Sequence, residues 1–198
     1  MKIIILAVIS VVLLTGCASK QALLKDSAPN PKKANLSVIS IEISDLRQHT
    51  TDREIKIPFF SWPGQSDKIR PILTSEHKHL IDTEIRKHVT SSGIPVKIHV
   101  SIEEAYKEFS ATWITENEHV EIQMKIDIYD EIHTPYLMSA FGNSIYDMTS
   151  IDASPEYIEK LYQKALRSGI KKAFHEISKA SDKFEIPTKE SQQKDTKT

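Results

Sequence analysis

One segment limits the possible folds more than any other. Over residues 120–128, Val120, Ile122, Met124, Ile126 and Ile128 alternate without a break with Glu121, Gln123, Lys125 and Asp127. Successive side chains on a strand point to opposite faces, so this segment is a strand with one face in a core and one in water. Such a strand belongs to an antiparallel sheet covered on one side. An earlier segment repeats the pattern, with Val96, Ile98, Val100 and Ile102 facing one way and Lys97, His99, Ser101 and Glu103 the other. Residues 38–43 set Ile39, Ile41 and Ile43 against Ser40 and Glu42. A fourth strand over 136–147 is less regular; its Ala140, Gly142 and Ser144 mark a surface that another element approaches closely.

Two stretches change period from two to 3.6. The first opens at Thr74 or Ser75 as N-cap, with Glu76 in the first turn and Leu80, Ile81, Ile85 and Val89 on one stripe. It is expected to stop at Gly93, with Pro95 beyond. The second has Ser154 as N-cap, Pro155 at the first helical position and Glu156 behind it. Its stripe runs from Ile158 through Leu161, Tyr162, Leu166 and Ile170 to Phe174 and Ile177. Gly169 interrupts the stripe at about 1 kcal/mol relative to alanine, which close approach of helix to sheet explains. The order β-α-β-β-β-α predicts a two-layer α+β domain over residues 36–180. Its sheet is expected to be four-stranded and mainly antiparallel, with both helices on one face.

The N-terminus carries a different signal. Met1-Lys2 precedes an apolar run of about twelve residues, 3–14, short of the roughly 20 that a bilayer span needs. It therefore reads as a secretory h-region. Leu14-Thr15-Gly16-Cys17 follows and matches the lipobox of bacterial lipoproteins, with cleavage between Gly16 and Cys17 and lipidation of the Cys17 thiol. Acyl chains at about 0.8 kcal/mol per buried CH₂ hold such a chain to a membrane without a protein span. Ala18-Ser19 carries no aspartate retention signal, which directs the expectation to the periplasmic face of the outer membrane. Residues 1–16 are thus a signal peptide, 17–35 a lipidated cysteine with a flexible tether, and 181–198 a charged tail with little to bury.

Composition excludes several classes. Cys17 is the one cysteine, so there is no disulfide within the chain and no cysteine metal site. A formal net charge of −1 gives no field favouring nucleic acid. Five glycines argue against phosphate-cradling loops.

The helix 80–85 (Leu-Ile-Asp-Thr-Glu-Ile) running to Gly93, the strand Val96-Lys97-Ile98-His99-Val100, the hairpin into 120–128 and the capped last helix, behind this leader, resemble the YajG family of outer-membrane lipoproteins. The LptE-type lipopolysaccharide-assembly lipoproteins have a similar element order. The first resemblance implies an outer-membrane location with no established chemistry, and the second implies lipid or lipopolysaccharide handling.

Candidate chemistry is sparse. His79 with Asp82, and Glu84 with His88, have helical spacing for a shared ligand, but they sit opposite Ile81 and Ile85 on what reads as a solvated face. No metal, no cofactor and no catalytic motif is expected, and the chain is not expected to be an enzyme. Two aromatic groups remain as possible contacts with an envelope protein or lipid. The first is Phe59, Phe60 and Trp62 in a proline-rich loop, which either docks a partner or folds over the open end of the sheet. The second is Phe109 and Trp113. Apolar positions are even-numbered through Ile102 and odd at Phe109, Ala111 and Trp113. A β-bulge near Glu103-Glu104 is the economical explanation and returns both rings to the buried face. Without it they form an apolar patch on the wet face.

Overall fold

The structure, a computed structural model, describes residues 30–130, 136–151 and 153–181. The elements are β1 (Ala34–Asp45), β2 (Ser66–Ile69), α1 (Ser75–Lys87), β3 (Val89–Ala111), β4 (Glu116–Asp130), β5 (Tyr136–Ser150) and α2 (Pro155–Ser181). The sheet is mixed, five-stranded and open, in the order β1-β3-β4-β5. β1 runs parallel to β3, whereas β3-β4-β5 is an antiparallel meander. β2 pairs antiparallel with the last residues of β3, on the edge that β1 occupies further back.

The sheet thus has one more strand than the four expected. β2 is Ser-Asp-Lys-Ile, with a single apolar residue, and four residues are too few to show a period. The expected alternation of β4 is present: Val120, Ile122, Met124, Ile126 and Ile128 are buried. In β1 a register shift between Val38 and Ser40 adds Ile39 as an extra residue, which leaves Ile39 exposed and Ile41 and Ile43 partly buried.

α1 ends six residues before Gly93, with His88 as its C-cap, and β3 begins at Val89. Gly93 is therefore no helix stop. A Cβ there would stand 2.3 Å from the backbone carbon of Asn35, so the glycine lets β1 approach β3. The close helix–sheet approach expected at Gly169 is present, since its backbone lies against Gly142 of β5. Both helices join one hydrophobic core with the sheet and touch each other. The polar side of α1 is correspondingly not solvated throughout: His77, Glu84 and His88 are buried, and His79 is exposed. α1 lies in the angle between sheet and α2, so two of its sides are covered.

The ends of the layer differ. Asn35 N donates to Ser181 Oγ, and Ala34 N donates to His88 O, which puts the start of β1 and the end of α2 together. The 27 residues of α2 span roughly 40 Å at about 1.5 Å per residue. The β3–β4 hairpin, the end of β5 and the start of α2 lie at the opposite end.

Candidate interaction surface and polar cleft

The bulge expected near Glu103-Glu104 is present. Ile102 pairs with Met124 and Glu104 with Gln123, so Glu103 is the extra residue. Phe109 accordingly turns into the core, 1% exposed, and is no contact residue. Trp113 does not follow it, because the strand ends at Ala111 and the alternation has nothing to act on beyond that point. Trp113 and Ile114 form the tip of the hairpin. Thr112 N donates to Thr115 O at 2.8 Å, and Thr112 Oγ1 accepts from Thr115 N at 3.0 Å and from Ile114 N at 3.3 Å. The two threonines satisfy the turn, which leaves the two apolar side chains outside it.

The proline-rich loop is also built outward, so of its two readings the folding of its rings over the open end of the sheet is the one the structure does not show. Pro63 and Gly64 occupy the centre of a turn in which Gln65 N donates to Trp62 O at 3.1 Å, and Gly64 has φ +84°. Proline followed by a positive-φ glycine is the type II turn signature, set by these two residues alone. Gln65 Oε1 accepts from Trp62 N at 2.7 Å. The turn is fastened to the end of β3 by Gly64 N to Ala111 O at 3.0 Å and Ala111 N to Gln65 O at 2.8 Å.

One carboxylate joins these pieces. Glu116, the first residue of β4, accepts from Ser61 Oγ at 2.6 Å and from Ala153 N at 2.7 Å. It ties the proline-rich loop, the hairpin and the β5–α2 connection into a single apex. There Phe59 is 93% exposed, Phe60 75%, Trp62 65%, Trp113 84%, Ile114 83% and Ile151 82%. Segments 57–66, 109–115 and 148–151 contain no charged residue, in a chain where 27% of residues are charged. Ile114 and Ile151 were not singled out in the sequence; the uncharged runs around them were the legible signal.

The second feature is an open cleft of about 530 Å³ between the 51–55 loop, β2 and the first turns of both helices. On its floor Glu159 accepts from His77 Nε2 at 2.8 Å and from Lys107 Nζ. Lys107 also lies over the Tyr162 ring, 4.7 Å from its centroid. His77 is at the third position of α1. Its Nδ1 accepts from Thr74 N at 3.3 Å while its own N–H donates to Thr74 Oγ1, a capping box with histidine in the place of glutamate. With Nδ1 as acceptor, the ring proton belongs on Nε2, facing Glu159. Burial raises the Glu159 pKa, but the hydrogen bonds from His77 and Lys107 outweigh it and hold the carboxyl at about 2. Glu84, bonded to His88 and Lys87, is likewise held at about 2. A carboxylate kept ionised and bound to two donors is a structural tie, and it is a poor proton acceptor at neutral pH.

Among the described residues no group of three or more His, Cys, Asp or Glu side chains could hold a metal ion. No helix among them is long and apolar enough to cross a membrane. Gly16 and Cys17, with the leader, the tether to residue 29 and the tail from 182, lie outside the described residues.

No family model and no curated protein matches the chain. Solved structures do. A crystal structure of a Xanthomonas campestris protein of the DUF330 family is similar at 11% identity and a TM-score of 0.50, over 77% of this chain and 89% of that one. A PelC dodecamer from Paraburkholderia phytofirmans is similar at 11% identity and a TM-score of 0.40, over 75% of this chain and 92% of that one. The first likeness shows a shared fold; the second is too distant to argue from.

Proposed function

We propose that this chain is a lipid-anchored envelope protein of the YajG type, fixed through Cys17 at the periplasmic face of the outer membrane. It acts as a non-catalytic accessory and presents its apolar apex to another envelope component. The observation that carries this reading is the apex itself. Six large apolar side chains stand in solvent on loops that are hydrogen-bonded into place, at the end of the domain away from the start of β1. The lipobox at residues 14–17 supports the anchor, and the engagement of Glu159 with two hydrogen-bond donors, His77 and Lys107, supports a role without acid–base chemistry.

Two measurements test it. A photoreactive residue placed at Trp62, and another at Trp113, is expected to trap a specific envelope component in intact cells. Absence of an adduct at both positions sinks the contact reading. Changing Cys17 to serine is expected to move the chain from the membrane pellet to the soluble periplasmic fraction; a variant that still pellets after a high-salt wash removes the anchor from the argument.

A further inference from the structure

We infer that the component met by the apex is a lipid bilayer, the same one that carries the N-terminal anchor, and that the apex side chains enter its interfacial layer. This inference rests on the reading of the apex as a contact surface and names what it contacts.

Three observations favour lipid over a folded partner. The first is shape. Phe59 and Phe60 pack edge to face on each other, with ring centroids 4.7 Å apart, while Trp62 stands on the proline-rich turn, Trp113 and Ile114 on the hairpin tip and Ile151 on the β5–α2 connection. The shallow cleft behind the loop is lined by Lys56, Gln65, Asp67 and their neighbours and by none of these six. A protein partner is gripped by anchors seated in matching pockets, whereas a fluid layer needs no complementary shape.

The second is charge. The tip segments carry no ionised side chain that is free: Glu116 is occupied by Ser61 and Ala153. One row back, Arg53 forks onto Asp67 at 2.6 and 2.7 Å, and Lys68 meets Glu108 at 3.2 Å. Protein interfaces usually place arginine and a charged rim around their aromatics. Tryptophan and phenylalanine without charge are the composition of side chains that settle at the bilayer interface. The charges behind the tip are thus mostly paired, with Lys56 exposed beside Asp67, and predict attachment driven mainly by apolar burial with little dependence on anionic lipid.

The third is reach. Cys17 and Asn30, where the described chain begins, are 13 residues apart, a contour of roughly 43–47 Å at about 3.3–3.6 Å per residue. That exceeds the roughly 40 Å length of α2. The anchor can therefore share a membrane with the apex even though the start of β1 lies at the opposite end of the domain.

The chain contains two tryptophans, Trp62 and Trp113, and both belong to the apex, so tryptophan emission, excited selectively over the six tyrosines, reports on this surface alone. The mature chain, isolated from membranes and reconstituted into phosphatidylcholine vesicles, is expected to show blue-shifted emission. That emission should be roughly halved when the vesicle lipids are brominated near the headgroup, at low and at high salt, as burial at an uncharged interface requires. The variant F59S/F60S/I114S keeps both reporters and changes only exposed side chains; it is expected to lose the quenching while its circular dichroism and unfolding midpoint stay put.

Emission that stays red and unquenched overturns the bilayer inference. If the cellular crosslink at Trp62 or Trp113 then traps a protein, the contact reading stands; if it traps nothing, both fall. Blue-shifted emission with no bromine quenching and a doubled mass in solution assigns the apex to a second copy and also overturns the inference. Quenching only by a second, anchor-free vesicle population rejects the same-bilayer arrangement.

Discussion

Gly142→Ala is expected to lower the unfolding midpoint by roughly 6–12 °C, corresponding to about 3 kcal/mol in a domain of this size, while Gly169→Ala leaves it nearly unchanged. The two glycines face each other where α2 crosses β5, yet they are not equivalent. A Cβ on Gly142 would stand 2.1 Å from the carbonyl oxygen and 2.6 Å from the carbonyl carbon of Gly169. Both are backbone atoms of a long helix and cannot move without the helix. A Cβ on Gly169 would instead meet the end of Met124 at 3.1 Å and the Gly142 oxygen at 3.3 Å. A methionine terminus can rotate away, and alanine returns about 1 kcal/mol of helix propensity. Thermal unfolding of both variants decides the matter. Equal losses would mean that the helix gives way as a whole and that the contact is not as rigid as its geometry states.

This contact also shows how far the fold could be read from the residues. Small residues at 140, 142 and 144 and a glycine inside a helical stripe each said that something comes close. Neither said that the two meet, because pairing across 27 positions leaves no local trace. The same limit applies to β1. Its partner β3 is parallel and reached through α1, whereas hairpin neighbours such as β3 and β4 follow from adjacency alone. The bulge at Glu103 was legible because it shifts a period, and a shifted period is visible in sequence. β2 has no period to shift.

For the apex, the residue types were legible and their orientation was not. The Pro63-Gly64 turn and the Thr112–Thr115 turn are local and could be inferred, but that both belong to one apex depends on Glu116. That carboxylate receives Ser61 from 55 positions before it and Ala153 from 37 positions after it. In sequence it is one more acidic residue at the start of a strand. The helix α1 shows the converse: His88 and Glu84, assigned to water, are buried where α2, far along the chain, packs on α1, with Phe174 against the His88 ring.

That burial leads to the second large effect. Glu159→Ala is expected to cost about 2–3 kcal/mol, less than the 3–5 typical of a fully buried pair because the carboxylate is one-third exposed. The loss falls on its partners. Lys107, with its side chain 10% exposed, keeps only the Tyr162 ring, and His77 Nε2–H faces an empty cleft floor. The acid profile separates this from a mere packing defect. The folded pKa of Glu159, about 2, lies below its ordinary value of 4.5. The unfolded chain therefore binds protons more readily between those values. Stability from this group is full above about pH 4.5 and is lost as pH falls through about 2, with no dependence near neutrality. Glu84 titrates in the same window for the same reason, through His88 and Lys87. Glu159→Gln should thus flatten part of the acid limb of a denaturant-melt series, and Glu84→Gln combined with it should flatten a further part, the remainder belonging to Asp45, Asp67 and Glu121, whose pKa values are also lowered. A wild-type limb unchanged in both variants would show that neither carboxylate is held by its hydrogen-bond donors in solution. The tie between α1, β3 and α2 would then have to rest on apolar packing alone.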